Sequence, residues 1–460
     1  MTSVARFLAA ALLCCSGPMA GAAEIVVGPA PDALARAIAT AAPGDILRLG
    51  DAAYDGPVVI DKPLTIVGGR DSRVVGKGEG TVVSVEADDV TVKNLYITGS
   101  GRRLDQLDSG VALAKGTRRA RVEGNRIVMN LIGVDVQGAL DATVAGNTIV
   151  GRTDLHRAEM GSGIYVWNAP GLLVEHNDIR RGRDGIFVAT SAKARYRYNR
   201  MQELRFAFHS MNANDIVLEH NVSRGNALGF AFMFSRNVTA IDNLSDGDAT
   251  HGLFLNSVNS SSLIHNEVRE GGDKCLFVYG AVRNRIEGNR LEGCDIGIHL
   301  TGGAAENVIT GNAVIGNRTQ VKYVGTRWLE WSGVPEAAAN DAGGSPPEPT
   351  GEAARTGRIT KEPVGNYWSD HVAFDIDGDG VADSPYRPND TVDVLTWSQP
   401  MARLLLGAPA VQLIRWAQSR FPGLLPGGVI DSHPLMSPDG TGPRPLATAL
   451  TVGYAPAGEN

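Results

Sequence analysis

The side chains best suited to chemistry in this chain are one imidazole and two thioethers. His209 and Met211 lie two residues apart, and Met233 follows Met211 by 22 residues. In an extended strand, a two-residue spacing puts both side chains on one face. The 22-residue interval is the repeat of the surrounding sequence, so Met233 belongs one coil above Met211, about 4.8 Å away. An imidazole with two thioethers suits a soft, monovalent metal ion, above all Cu(I), and offers little to oxygen-preferring metals. Trp167, Phe187 and Phe254 fall on the same outward columns and could shelter such an ion. The plainer alternative is surface packing by the two methionines, with His209 facing solvent. His156, Met160, His251 and His299 are more distant contributors. His176, His220 and His265 recur two coils apart, too far to share one ion.

A second cluster is acidic. Asp375, Asp377, Asp379 and Asp383 in DIDGDGVAD have the 1, 3, 5, 9 spacing of a calcium loop, with Gly380 at the sharp turn. The twelfth position is Tyr386, not a bidentate Glu, so a structural calcium site is expected, with a plain acidic turn as the alternative. No paired carboxylates of a polysaccharide hydrolase stand out, and no DPHD-like tetrad of an alginate epimerase. Asp154-Leu155-His156-Arg157 is the nearest approach.

The elements that must position these residues announce themselves by repetition. Asparagine recurs at 125, 147, 177, 199, 221, 243, 266, 289 and 312, with gaps of 22, 30, 22, 22, 22, 23, 23 and 23. About eight residues after each comes a small residue, then alternating apolar residues, as in GIYVW, GIFVA, GFAFMF and GLFL. Such a period with short alternating runs predicts a solenoid of strands. The expected fold is all-β, a right-handed parallel β-helix of about ten coils of 22–23 residues. An Asn at the same turn of every coil can bond the peptides above and below it, so the asparagines are structural, not catalytic.

The rest of the chain fits around that core. Residues 1–23 read as a secretory signal, with Arg6, an apolar run and small residues ending in Ala23. Residues 24–332 form the β-helix, opened by a capping helix over 31–41 and interrupted by insertions at 99–108 and 153–160. A Pro/Gly/Ala-rich excursion spans 333–357, and 358–460 form a C-terminal segment with the Asp-rich loop and apolar helices. In that segment Leu404, Leu405, Leu413, Ile414, Trp416 and Phe421 must bury their apolar face against the solenoid or dock on another protein. Of four cysteines, Cys275 and Cys294 lie beyond the signal. Cys294 falls three residues short of the position above Cys275, so two small buried thiols are expected rather than a disulfide. The net charge of −7 argues against a general nucleic-acid partner. No apolar run reaches membrane-spanning length.

Beyond the coils, several strings carry a resemblance: the PDALARAIATAAPGDILRLGDAAYDGPVVIDKPLTIVGG opening, GNYWSD, DIDGDGVADSPYRP, LLLGAPAVQLIRWAQSRFPGLLPGG and the closing DSHPLM. Nearly end to end, the chain resembles the NosD family of periplasmic maturation factors for nitrous oxide reductase. The resemblance implies a non-enzymatic role in assembling the copper–sulfide centre of that reductase. Its partners would be an ABC transporter with a NosY-type membrane subunit and a NosF-type ATPase, a NosL-type copper chaperone, and the reductase itself. Cu(I) would be cargo, and the protein would sit at the outer face of the inner membrane through its transporter. The rival, drawn from the fold alone, is a β-helical polysaccharide lyase or epimerase.

Overall fold

The computed structural model describes residues 22–332 (except 302, 324 and 326), 364–421 and 428–439. Most of the signal and all of the 333–357 excursion lie outside the described residues. The chain winds as a parallel β-helix of three sheets. Sheet I has 13 strands from Glu24–Val27 to Val308–Thr310, sheet II has 12 from Val58–Ile60 to Thr319–Tyr323, and sheet III has 13 from Ala53–Asp55 to Tyr367–Trp368. The coils outnumber those counted from asparagines because Ser72 and Leu95 hold the ladder position in early coils, in register with Asn125.

The ladder works as a chain of shared amides. Asn221 Oδ1 accepts the Asn199 backbone N–H at 3.1 Å and its Nδ2 at 3.0 Å. Asn221 Nδ2 in turn donates to Tyr196 O at 2.8 Å and to Asn243 Oδ1 at 2.9 Å. Each net bond contributes about 1 kcal/mol, and an orphaned buried amide costs more. The residue before each rung from Asn125 to Asn312 turns through left-handed backbone, with φ of 62° at Gly124 and 55° at His220, where glycine is least strained. Inside the coils, Tyr196, Phe208, Phe230 and Phe232 are fully buried, and Phe208 meets Tyr196 edge-on at 5.0 Å and Phe232 at a tilt at 5.9 Å.

The far end is closed by the strings that set this chain apart from a bare repeat. The strand Tyr367–Trp368 pairs in register with Ala313 and Val314. Asn366 forms a last rung, accepting Asn312 N–H at 3.0 Å, 54 residues away in sequence. Asp431 ends the ladder by accepting Asn366 N–H at 2.7 Å and Trp368 Nε1–H at 2.9 Å. The near end carries helix α1 (Ala33–Thr40), which buries Ala33, Leu34 and Ile38. Helices α2 (Thr391–Ser398) and α3 (Pro409–Arg420) follow the Asp-rich loop. Asn389, just before α2, donates to Val321 O at 2.8 Å and so ties this segment to the last strand of sheet II.

One expectation fails here. Cys275 and Cys294 form a disulfide, with Cα atoms 5.7 Å apart. Cys294 lies in the turn before its strand, one coil above Gly271. A Cβ on Gly271 would stand 2.7 Å from Cys294 Sγ, so the missing side chain leaves room for the bridge. Register along the strand was therefore the wrong test, because the bond crosses from turn to strand.

Candidate functional site

The strand Phe206–Met211 lies in the middle of sheet II, with Phe208 and Ser210 buried inside the coil. Its alternation puts His209 and Met211 on the outer face. Phe187, His209 and Ala231 are in register on that face, as are Ala189, Met211, Met233 and Asn256. The two methionines are thus neighbours on adjacent strands, and both are half-buried.

His209 is 7% exposed rather than solvent-facing. The Phe206 ring stacks on it at 4.6 Å and Phe187 meets it edge-on at 4.9 Å. Its Nδ1 lies 3.2 Å from Asp184 Oδ2. Arg205 donates to both oxygens of Asp184, Nε to Oδ1 at 2.8 Å and a terminal N–H to Oδ2 at 2.7 Å. Burial pushes the Asp184 carboxyl up, but bonds from His209 and Arg205 outweigh it and hold it below the usual carboxylate range. A carboxylate can only accept, so His209 Nδ1 carries the proton that faces it, and in the neutral imidazole Nε2 is the acceptor. That Nε2 is buried and has no hydrogen-bond partner among the described residues. An orphaned buried polar atom costs about 1–3 kcal/mol, a cost that a bound ion on this outer face would offset.

Sequence reading missed Asp184, Arg205 and Phe206. Asp184 and Phe206 occupy the column just before the small marker residue, one position outside the columns compared, and Arg205 precedes it. Asp184 is the one acid among the residues just before the markers from Gly133 to Gly297, and that was the available signal. Of the aromatics expected to shelter the ion, Phe187 does touch His209. Trp167 is 37% exposed, and Phe254 instead stacks on Phe277 at 5.0 Å.

The remaining histidines separate cleanly. His176, Tyr198 and His220 stack at 4.9 Å on the outside of the ladder turn. His220 Nε2 and His265 Nδ1 approach opposite oxygens of Asp242 at 3.9 and 4.0 Å. His156 accepts Ala158 N–H at 3.3 Å and caps a short turn of helix in its insertion. His251 and His299 gather round Phe277, at 5.3 and 4.8 Å. Burial lowers both, His299 to about 4, so each stays a neutral imidazole. Near the other end of the same face, burial raises Asp135 to about 7.

In the acidic loop, ligand oxygens of Asp375, Asp377 and Asp379 lie within 4.8 Å of one another. Asp383 does not join them: its Oδ2 accepts the Ile376 N–H at 2.7 Å. Tyr386 turns inward, stacking on Trp368 at 4.7 Å and donating to Asp370 Oδ1 at 2.8 Å. In the apolar segment, Leu404, Leu405, Leu413, Ile414, Trp416 and Phe421 are between 45% and 79% exposed, so the solenoid does not cover them. No helix among the described residues is long and apolar enough to cross a membrane.

Residues 146–373 match the family profile described as periplasmic copper-binding protein (NosD). The "probable ABC transporter binding protein NosD" of Stutzerimonas stutzeri is 35% identical over 403 residues, spanning 85% of this chain and 86% of that one. Its namesake in Pseudomonas aeruginosa is 34% identical over 405 residues, spanning 85% and 88%. Among solved structures, the A-module of the Azotobacter vinelandii mannuronan C-5 epimerase AlgE6 has a TM-score of 0.51 at 15% identity, over 64% of this chain and 90% of that one. A polygalacturonase from Erwinia carotovora has a TM-score of 0.50 at 9% identity, over 66% and 96%. Likeness to these enzymes at such identity concerns the β-helix alone. The NosD matches instead run through coils, end cap and C-terminal segment together, and they make the chain a member of the NosD family of periplasmic copper-binding proteins.

Proposed function

We propose that the protein carries Cu(I) on the outer face of sheet II and serves, with an ABC transporter, in assembling the copper–sulfide centre of nitrous oxide reductase. The observation that carries this is His209 Nε2, a buried ring nitrogen without a hydrogen-bond partner among the described residues, on the same outer face as Met211 and its register partner Met233. Neutral imidazole and thioether donors favour a soft, singly charged ion, and so few ligands let it go again. The named relatives are transporter binding proteins, which supports a transporter partner for this chain. We assign the dock on a NosY-type membrane subunit, driven by a NosF-type ATPase, to the exposed side chains Leu404, Leu405, Leu413, Ile414, Trp416 and Phe421. A NosL-type chaperone would supply the copper. Asp375, Asp377 and Asp379 would hold a structural Ca²⁺ that stiffens the neighbouring loop.

The test is made in cells that rely on this protein to mature nitrous oxide reductase. Replacing it by the Met211→Ala, Met233→Ala variant should give reductase lacking its copper–sulfide centre while the variant accumulates normally. Fully metallated reductase from such cells would refute the role of this site.

A further inference from the structure

We propose that Asp184 is a positioning residue that fixes which nitrogen of His209 meets the cargo, and that Arg205 keeps Asp184 itself from becoming a ligand. The inference rests on the copper reading above and adds to it the origin of the site's softness. Asp184 and His209 sit one coil apart, joined Oδ2 to Nδ1 at 3.2 Å. The other tautomer would turn the Nδ1 lone pair onto a carboxylate oxygen, two acceptors face to face, so the pairing selects Nδ1–H. Nε2 then presents its lone pair, and the ring cannot swivel, held between Phe206 at 4.6 Å and Phe187 at 4.9 Å. A carboxylate behind a ligating imidazole orients it and raises its basicity.

Arg205 has a separate effect. Its two N–H groups occupy both carboxylate oxygens, and its guanidinium lies 4.6 Å from the centre of the Phe206 ring. Guanidinium and imidazole thus both pack on Phe206 and both reach Asp184. With its oxygens engaged, Asp184 stays out of the ligand sphere, and the site offers no hard donor to Zn²⁺ or Cu²⁺. Arg205 is therefore a specificity-determining residue for a monovalent cargo.

The test uses the full mature protein, labelled with ¹⁵N-histidine. Long-range ¹H–¹⁵N spectra of the metal-free protein should show His209 protonated at Nδ1. In Asp184→Asn, the amide keeps its oxygen for Arg205 and turns its NH₂ toward Nδ1, so the proton should move to Nε2. Anaerobic Cu(I) competition should then show a roughly 10–100-fold loss of affinity, and X-ray absorption should lose the nitrogen ligand but keep sulfur. Arg205→Gln should hold Cu(I) within about threefold yet bind Zn²⁺ at least about tenfold more tightly, as expected for a freed carboxylate. A wild-type His209 protonated at Nε2 overturns the positioning role, whether or not Asp184→Asn folds. So does a folded Asp184→Asn with unchanged Cu(I) affinity, which leaves the copper reading intact. Unchanged Zn²⁺ affinity in Arg205→Gln overturns the role of Arg205. Should wild type bind no Cu(I) at all, the copper reading falls while the tautomer still decides the positioning.

Discussion

The ladder turn and the middle of sheet II stand one short strand apart on every coil, yet they treat polar atoms in opposite ways. At the turn, Asn221 donates and accepts on both sides, and its neighbours do the same through to Asp431. On the sheet, His209 is equally hidden but leaves one nitrogen unmatched. Tyr196 Oη and Ser210 Oγ are also unpartnered among the described residues, but they face the packed interior, whereas the His209 nitrogen lies on the outer face that carries the two methionines. The first region gives stability and no chemistry; on the function proposed above, the second gives up some stability for a ligand.

That contrast can be broken in order of cost. Asn221→Ala removes shared bonds above and below and strands buried partners, for an expected loss of about 4 kcal/mol. Chemical denaturation should show it, with Cu(I) binding unaltered in the folded fraction. Cys275→Ser with Cys294→Ser opens a staple spanning 19 residues, expected to cost about 3 kcal/mol in thermal or denaturant melts. Met211→Ala with Met233→Ala trims two half-buried side chains and should cost about 2 kcal/mol, while Cu(I) affinity collapses.

Protonation gives a smaller effect, again on sheet II. Burial holds His299 neutral down to about 4. Its folded value is depressed, so its contribution is present above the unfolded value near 6.5 and is lost as pH falls toward 4. His299→Phe should flatten that part of the stability–pH profile, measured by denaturant midpoints at each pH. Smallest for the fold are Leu404→Ser and Leu413→Ser, exposed positions that should shift stability by less than about 0.5 kcal/mol. They should nevertheless abolish co-purification with the transporter.

What was legible in the sequence follows from the same physics. The asparagine beat and the alternating strands were readable because each coil must solve the same turn again. The outer-face placement of His209, Met211 and Met233 followed from a period of two. Asn366 and Asp431 were opaque as ladder members because the chain returns to the stack only after 54 and 65 residues. The disulfide was misjudged because Gly271, which makes room for it, is informative only once the coils are stacked. Asp184 and Arg205 escaped because a pair one coil apart, in a column not compared, has no local spacing to betray it. In the acidic loop three aspartates converge, while Asp383 serves the backbone, a distinction that the 1, 3, 5, 9 spacing does not carry.

The central claim is that Met211, Met233 and His209 together hold one Cu(I), and anaerobic titration of the mature protein with Cu(I) tests it most directly. The expected result is one equivalent bound by wild type and lost in the Met211→Ala, Met233→Ala variant. A wild type that binds no Cu(I), or a variant that binds it equally well, would contradict the site.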